Sequence, residues 1–391
     1  MERLRCMNKN MKKAMKSSIQ KALSKKIFKS IHKFALFLYS FSAVFSLFKR
    51  NKLAVRKSRI KQVNNMNKIM KYVYKRSELT IDFDNYAVSI EFLTQDNLKI
   101  KGFKYIINPQ SKKWIITSHW FAGDKYWGLF NAKPFIELGY NILAFDYRNH
   151  GESDKTDVVS MGLFENYDLL AAIKFLNETE EIETIGLHGM SMGAFIANYV
   201  AATQKDFLDS NNVKFIVSDS TYGSLESLLY KTVRVRFRLI FNHKFAKKLI
   251  DKTLELQKIA TNTDQSELNL FDKYEKYDIS PASCPTLFIH GANDSVTPHT
   301  DTLRLFIDRS KYNLGDEILI YNTAGHCFSI KEHYYQTVYR MIMFENKITN
   351  DNESSTKALK RMGITEEVIK NNFNEVREVP TFHSGHKKSN Y

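Results

Sequence analysis

The stretch TIGLHGMSMGAFIANYVAAT, residues 184–203, joins a strand-like run to a helix-like run through a single serine. Its first five residues are a short apolar run of the kind that forms a buried strand, and the residues after Ser191 have helical spacing. Gly189 and Gly193 complete the pattern G-x-S-x-G around Ser191. A strained strand-to-helix turn leaves no room for Cβ atoms beside such a serine, which explains both glycines. A helix N-cap would explain Ser191 but neither glycine, so the stretch predicts a nucleophilic serine.

Strand-like and helix-like runs alternate on both sides of this motif. Most of the strand-like runs are short and apolar, as in a sheet that is buried on both faces, and the first two alternate apolar and polar residues like an antiparallel pair. The alternation predicts a doubly wound, mostly parallel α/β sheet of about eight strands. The strand-like runs, besides the one in the opening stretch, are 86–94, 98–107, 113–120, 141–147, 213–220, 285–291 and 317–322.

Composition divides the chain into three parts. Residues 1–77 are a basic N-terminal extension, residues 78–349 carry the α/β pattern, and residues 350–391 are a polar C-terminal tail that we expect to lie outside the site. Within the α/β part, helical spacing replaces strand-like runs over about residues 221–280. We expect this insertion to be a helical cap over the carboxyl edge of the sheet, where ligands bind in such folds.

A serine hydroxyl needs a base to activate it, and the base needs an acid to orient it. His326 is the candidate base, because a histidine in the loop after the last strand-like run has few structural duties. Asp294 is the candidate acid, since its turn ends the neighbouring strand-like run, and Asp219 is the rival acid one run earlier. His188 and His290 lie inside strand-like runs and are expected to be core residues.

The order serine, acid, histidine along the chain is that of the α/β-hydrolases. Residues from about 86 to 346 resemble the bacterial serine aminopeptidase and monoglyceride lipase-like group of that superfamily. FDYRNHGESD, residues 145–154, is similar to the group's D-x-R-G-x-G-x-S stretch, with Asn149 where glycine is usual. SPASCPTLFIHGANDSVTP resembles the segment that leads to the acid, and GHCFS resembles the loop that holds the base. The resemblance implies an α/β-hydrolase fold and acyl transfer to water, with no metal or organic cofactor.

Such chemistry also needs an oxyanion hole of two backbone N–H groups. The N–H of Met192 follows the candidate nucleophile directly. Relatives typically take the second N–H from an H-G-x-x-G loop, which reads HWFAG at residues 119–123, so that Phe121 would supply it by position. Trp120 replaces a glycine, so the loop must reach its geometry without a residue that freely takes positive φ. The tryptophan is expected either to wall an acyl pocket or to pack in the core.

The net charge of +16 belongs to the extension. Residues 1–77 contain 22 Lys and Arg and one acid, a charge of +21, which leaves −5 for the rest of the chain. The remainder has no basic groove with interleaved aromatic residues, which disfavours a nucleic-acid partner. A basic segment beside an apolar run instead favours an anionic membrane surface.

The apolar run FALFLYSFSAVFSLF, residues 34–48, is uncharged and lies between Lys33 and Lys49. A helix of about 15 residues spans roughly 22 Å, which is short of the ~30 Å hydrocarbon core. A single anchor, an interfacial helix and a helix buried against the domain therefore all stay open. We expect a membrane-associated protein, with a cytoplasmic one as the alternative, and the similarly basic flanks predict no orientation.

The remaining predictions concern cysteine sites and the substrate, and each depends on only a few residues. The three cysteines share no C-x-x-C spacing, so neither a disulfide framework nor a zinc site is expected. Apolar residues of the cap favour a carboxylic ester with a lipid-like or medium-length acyl chain as the substrate. A peptidase that acts on small N-terminal residues and a membrane-tethered binding protein on the same scaffold are the alternatives. The cysteines are Cys6, Cys284 and Cys327, and the apolar cap residues are Leu228, Leu229, Leu239 and Phe241.

Overall fold

The computed structural model describes four stretches of the chain and a few helical positions between residues 26 and 38. The four stretches are 59–237, 242–275, 281–373 and 381–383. The apolar run 34–48 lies outside the described residues except at Phe34, Ala35 and Leu38, and so do Leu239 and Phe241 of the expected cap. Within the described stretches no helix is both long enough and apolar enough to cross a membrane.

The centre of the described structure is one mixed sheet. Its strands are β1 (Ala87–Leu93), β2 (Lys99–Tyr105), β3 (Lys113–Ser118), β4 (Asn141–Phe145), β5 (Thr184–Met190), β6 (Val213–Asp219), β7 (Thr286–Gly291), β8 (Glu317–Tyr321) and β9 (Thr381–His383). They lie in the order β1-β2-β4-β3-β5-β6-β7-β8-β9. The strands from β4 to β8 in that order pair in parallel, whereas β1, β2 and β9 pair antiparallel with their neighbours. The expectation of a mostly parallel α/β sheet of about eight strands is confirmed, with β9 as a short addition at one edge.

Helices cover the sheet and connect its strands. Before the cap they are α1 (Arg59–Lys68), α2 (Phe83–Tyr86), α3 (Lys125–Asn131), α4 (Lys133–Glu137), α5 (Glu165–Thr179), α6 (Met192–Thr203) and α7 (Lys205–Ser210). The expected cap region contains α8 (Leu225–Phe237), α9 (His243–Thr261) and α10 (Leu270–Glu275). After it come α11 (His299–Ser310), α12 (Ser329–Glu332), α13 (Tyr334–Thr349), α14 (Asn352–Arg361) and α15 (Glu366–Phe373).

Both faces of the sheet are buried, which is why its strands are apolar almost without interruption. Successive strand residues point to opposite faces, so Trp114 and Ile116 belong to one core cluster and Ile115 to the other. Helices α5, α6 and α11 contribute to the first cluster, and α3, α4 and α13 contribute to the second. The parallel pairing of β5 to β8 places their carboxyl ends together at one edge of the sheet.

The folded domain begins earlier than composition indicated. Val63, Met66 and Met70 are buried in the second core cluster, although they belong to the basic segment that was expected to be an extension. The side chain of Asn67 donates to the carbonyl oxygen of Ile81 at 2.8 Å and accepts from its N–H at 2.9 Å. The count of charged residues did not reveal this amphipathic helix, because three apolar residues at helical spacing are enough to dock it against the domain.

The C-terminal segment is more than a polar tail. Ala358, Met362 and Ile364 are buried in the second core cluster, and the hydroxyl of Tyr334 donates to the carbonyl oxygen of Met362 at 2.9 Å. Helix α14 therefore closes over the domain, while β9 extends the sheet beside β8. The charged residues of α14 and α15 are exposed, so the average composition of the segment concealed the few apolar residues that pack.

The cap helices have a small core of their own. Val233 of α8 packs against Ala246, Leu249 and Ile250 of α9, and all four are buried. Ala35, one of the described positions of the N-terminal segment, packs against this cluster. Leu228 instead belongs to the first core cluster, which joins the cap to the sheet.

Candidate active site

The turn between β5 and α6 holds Ser191 in a strained conformation, with φ 53° and ψ −112°. A Cβ on Gly189 would lie 2.5 Å from the carbonyl oxygen of Gly193, and a Cβ on Gly193 would lie 2.2 Å from the carbonyl oxygen of Ser118. Real Cβ atoms do not approach backbone this closely, so the turn requires glycine at both positions. The N–H of Ser191 donates to the carbonyl oxygen of Asp219 at 2.8 Å, which ties the strained residue to β6.

The loops after β7 and β8 bring the two expected partners to this serine. The hydroxyl of Ser191 lies 2.9 Å from Nε2 of His326. Nδ1 of the same imidazole lies 2.7 Å from Oδ2 of Asp294. The three side chains thus form one hydrogen-bonded chain, in which a proton can pass from the hydroxyl to Nε2 while the carboxylate holds Nδ1–H.

Asp294 is held by more donors than the imidazole alone. Its Oδ1 accepts from the N–H groups of Val296 at 2.7 Å and Thr297 at 2.9 Å. Its Oδ2 also contacts the Thr297 hydroxyl at 2.7 Å and Nε2 of His290 at 3.1 Å. Burial acts to raise the pKa of Asp294, but the hydrogen bonds from His290 and His326 outweigh it, so the net shift is downward. The carboxylate therefore stays charged at neutral pH.

His290 is buried, as expected of a strand residue, but its contact with the acid was not foreseen. Nδ1 of His290 lies 2.7 Å from the Thr302 hydroxyl. If that hydroxyl donates to Nδ1, the ring proton sits on Nε2 and points to Asp294. The feature of the sequence that could have indicated this contact is the spacing, because His290 precedes Asp294 by four residues across the end of β7. His188 is also buried, and burial lowers the pKa of its imidazole to about 4. Unlike His290, it is not a partner of Asp294.

The protonation of His326 depends on opposing effects. Burial acts to lower the pKa of His326, whereas the side chains of Cys327 and Asp294 raise it, and the net shift is upward. Burial raises the pKa of the Cys327 thiol, so that thiol is uncharged at neutral pH. The charge that favours the imidazolium is therefore the carboxylate of Asp294.

Asp219, the rival acid, has other partners. Its Oδ1 accepts from the hydroxyls of Ser220 at 2.9 Å and Ser329 at 3.3 Å. Burial raises the pKa of Asp219, so its carboxylate is held in the charged form less firmly than that of Asp294. Nδ1 of His326 contacts Asp294 because β7, and not β6, is the neighbour of β8 in the sheet.

In the loop 119–123, positive φ occurs at a different residue from Trp120, the position at which relatives usually have glycine. Ala122 has φ +66°, whereas Trp120 is not among the residues with positive φ. The N–H of Gly123 donates to the carbonyl oxygen of Trp120 at 2.8 Å and closes a four-residue turn whose third residue is Ala122. Among four-residue turns closed by this hydrogen bond, the type II turn needs positive φ at its third position. The loop thus reaches its geometry without positive φ at Trp120, and Ala122, which is not a glycine, bears the strain.

Two histidines hold this loop in place. Nε2 of His119 accepts from the N–H of Tyr147 at 3.0 Å, so its Nδ1 carries the proton and donates to the carbonyl oxygen of Trp120 at 2.7 Å. Nε2 of His150 accepts from the N–H of Ala122 at 3.1 Å. Burial lowers the pKa of His119 to about 3, which keeps it neutral and able to accept. Both rings fix the backbone from which Phe121 would offer its N–H.

Comparison with known proteins identifies the fold. Residues 117–247 match a family model described as the alpha/beta hydrolase fold. An esterase of Pyrococcus furiosus superposes on the structure with a TM-score of 0.55, at 20% identity, over 76% of this chain and 96% of that chain. The chain has the α/β-hydrolase fold. The turn that holds Ser191, the turn that holds Asp294 and the loop that holds His326 lie at the carboxyl edge of the sheet, where open α/β sheets bind ligands.

Relatives found by sequence match smaller parts of the chain. The uncharacterized protein YqkD of Bacillus subtilis is 32% identical over 209 residues, which are 53% of this chain and 63% of that protein. The chain therefore spans less than two thirds of the length of that relative. A thiohydrolase of Aspergillus aculeatus is 32% identical over 125 residues, which are 30% of this chain and 37% of that protein.

The segment 145–154 departs from the usual hydrolase pattern at Asn149, and the structure accommodates the difference. Asn149 has φ +65°, a conformation that asparagine tolerates better than other non-glycine residues. Its side-chain amide donates to the carbonyl oxygen of Val158 at 2.8 Å. The neighbouring Arg148 is buried against Asp168 at 2.6 Å, so the segment is anchored on both sides of the asparagine.

Proposed function

We propose that the protein is a serine hydrolase that transfers an acyl group to water through a covalent acyl-enzyme. The observation that carries the proposal is the continuous contact from Ser191 through His326 to Asp294. In the first step Oγ of Ser191 attacks the substrate carbonyl carbon while Nε2 of His326 takes the hydroxyl proton. Collapse of the tetrahedral intermediate breaks the bond to the leaving group, which takes that proton from His326.

Deacylation repeats these steps with water as the nucleophile. His326 accepts a proton from the water as it attacks the acyl carbon, then returns the proton to Oγ of Ser191 as the acid leaves. Asp294 keeps Nδ1–H in place throughout, so that Nε2 is free to accept. In this proposal the N–H groups of Met192 and Phe121 stabilise the oxyanion in both halves. Met192 is the first residue of α6, where the helix dipole favours developing negative charge.

We further propose that the substrate is a carboxylic ester with a lipid-like or medium-length acyl chain. Met192 shares an apolar cluster with Leu225 and Leu228 of the cap, and Phe121 and Leu229 pack against the same cluster. Apolar side chains thus extend from the nucleophile turn to the cap, as an acyl-binding wall would require. The name of the thiohydrolase relative also indicates cleavage of an acyl bond in that protein.

A panel of p-nitrophenyl esters beside aminoacyl-p-nitroanilides tests this substrate. Each methylene buried in an acyl pocket contributes ~0.8 kcal/mol, so kcat/KM is expected to rise about fourfold per methylene until the pocket is filled. We expect a maximum at medium chain length and higher kcat/KM for the best ester than for any anilide. A preference for the anilides would make the peptidase alternative the better one, and no turnover of either class by folded protein would favour the binding protein.

We also propose that residues 1–77 hold the protein at an anionic membrane surface. The segment carries a charge of +21, and a row of its apolar side chains is exposed. These side chains recur at helical spacing, so they share one face. Ala35, a neighbouring position of the same helical segment, packs against the cap cluster. The exposed side chains are Ile27 at 54%, Ile31 at 59%, Phe34 at 63% and Leu38 at 47%.

Vesicle flotation of the full chain tests the membrane proposal. Replacing Ile27, Ile31, Phe34 and Leu38 by serine is expected to reduce flotation with phosphatidylglycerol vesicles at least about tenfold, because buried apolar area contributes most of interfacial affinity. The matched control replaces Val88 and Leu93, two exposed apolar residues of β1, by serine and should float like the wild type. Equal flotation of the four-serine variant and the wild type would count against the proposal.

A further inference from the structure

A cavity lies between the cap and the domain, apart from the candidate catalytic residues. It has a volume of about 900 Å³, within the range of ligand pockets in proteins. Helices α8 and α9 form its cap side, and the first turns of α11 form its domain side. Ser191, Asp294 and His326 do not line it.

Basic side chains converge on this cavity from three helices. Lys231 and Arg234 of α8 are separated by three residues, so they share one face of that helix. His243 and Lys247 of α9 are separated by four residues and share a face in the same way. Arg304 of α11 lies on the opposite side, with its guanidinium 3.9 Å from the ring centre of Phe271. Three of the four Lys and Arg side chains of the lining therefore lie on its cap side.

The acidic residues of the lining offset only part of this charge. Four Lys or Arg side chains face Glu226 and Asp301, a net charge of +2 with the histidines neutral. Asp301 is buried and engaged, because it accepts from the N–H of Gly223 at 2.9 Å and from the hydroxyl of Ser227. Arg304 pairs with Glu275 and Asp308.

Two of the cations have no carboxylate partner in the described part of the chain. Neither Lys231 nor Lys247 forms an ion pair there, although other cap lysines do, such as Lys252 with Glu255 at 2.9 Å. Burial lowers the pKa of His299, and the neighbouring His290 and Lys231 lower it further. The part of the chain after residue 77 has a net charge of −5, so a cationic cavity does not follow from general basicity.

We propose that this cavity binds a phosphate-bearing ligand. Lysine and arginine side chains are the usual protein partners of phosphate oxygens, and a concave site lined by one sign of charge strengthens their attraction. Tyr230 and Phe271 give the same cavity an apolar wall, which suits an organic phosphate better than a free ion. The shared chemistry fits a soluble phosphate ester or the headgroup of an anionic lipid. Binding here requires no hydrolysis, so it stands apart from the proposed function.

Calorimetric titration of the full chain with inorganic pyrophosphate tests the site, using Ser191→Ala protein so that hydrolysis cannot contribute. The double variant Lys231→Gln, Lys247→Gln is expected to lose at least about tenfold in affinity, because charge-assisted hydrogen bonds to phosphate are lost. The matched control Lys244→Gln, Lys248→Gln removes the same charge from exposed positions of α9 that do not line the cavity, and it should bind within about twofold of the parent. Each variant is first shown by circular dichroism to be folded.

Two results would overturn the site. One is the absence of pyrophosphate binding at millimolar concentration, and the other is an equal loss in both double variants, which would show non-specific attraction. Parallel titrations with glycerol 3-phosphate and with phosphatidic acid vesicles identify the source of the phosphate. Dependence on Lys231 and Lys247 in the soluble arm indicates a soluble phosphate ester, and dependence in the vesicle arm alone indicates a lipid headgroup.

Discussion

Replacing Ser191 by alanine is expected to lower kcat/KM for the best ester by roughly four to six orders of magnitude. The substitution removes the Oγ that lies 2.9 Å from Nε2 of His326 and would attack the substrate. Alanine keeps a Cβ at the same strained backbone position, so the thermal unfolding temperature should change little. The measurements are initial rates on the ester and labelling by a fluorophosphonate probe, which should be absent from the variant.

Ser218→Ala is the matched control for the labelling. Ser218 is also buried at the carboxyl end of a central strand, but its hydroxyl accepts from Asn198 at 2.8 Å instead of facing an imidazole. The control should be labelled at a rate close to that of the wild type. A folded wild-type protein that fails to react with the probe would refute the hydrolase proposal.

Replacing Asp294 by asparagine is expected to lower kcat by about 10⁴-fold with a much smaller change in KM. The amide nitrogen of asparagine would donate toward Nδ1 of His326, which moves the ring proton to Nε2. In that tautomer Nε2 cannot accept the proton of Ser191. Initial rates over a range of ester concentrations separate kcat from KM.

Asp219→Asn is the control, because Asp219 is also a buried acid at the end of a neighbouring strand. Its Oδ1 contacts hydroxyl groups of Ser220 and Ser329, and an asparagine oxygen can accept the same bonds. This variant should retain kcat within about threefold of the wild type. A larger loss of kcat in Asp219→Asn than in Asp294→Asn would assign the orienting role to Asp219 instead.

Local sterics and periodicity were sufficient to predict the fold and the candidate nucleophile. The pattern of two glycines beside Ser191 could be recognised from the sequence, and the clash avoided at Gly189 lies within the turn, but the clash avoided at Gly193 is with Ser118 of β3. The alternation of strand and helix predicted the sheet, since burial on both faces imposes apolar strands. Averages over long segments were less informative, and they concealed the few apolar residues that dock α1 and α14.

Contacts between distant segments could be anticipated only where a family resemblance suggested their order. The choice of Asp294 over Asp219 depends on β7 lying beside β8, and the contact of His290 with that acid depends on how the end of β7 packs against α11. The positive φ of Ala122 was not visible from residue type, since it follows from the bonds that His119 and His150 make to the loop.

The sequence by itself therefore determined the sheet and the strained serine turn, because these depend on the period of burial and on backbone sterics, whereas the order of the three candidate catalytic residues followed from the resemblance to the α/β-hydrolases. Only the tertiary structure decided which acid meets His326, which residue bears the strain of the loop 119–123, and that Lys231 and Lys247 face one cavity. Each of these depends on which elements become neighbours in space, and that is a property of the packed sheet and cap as a whole.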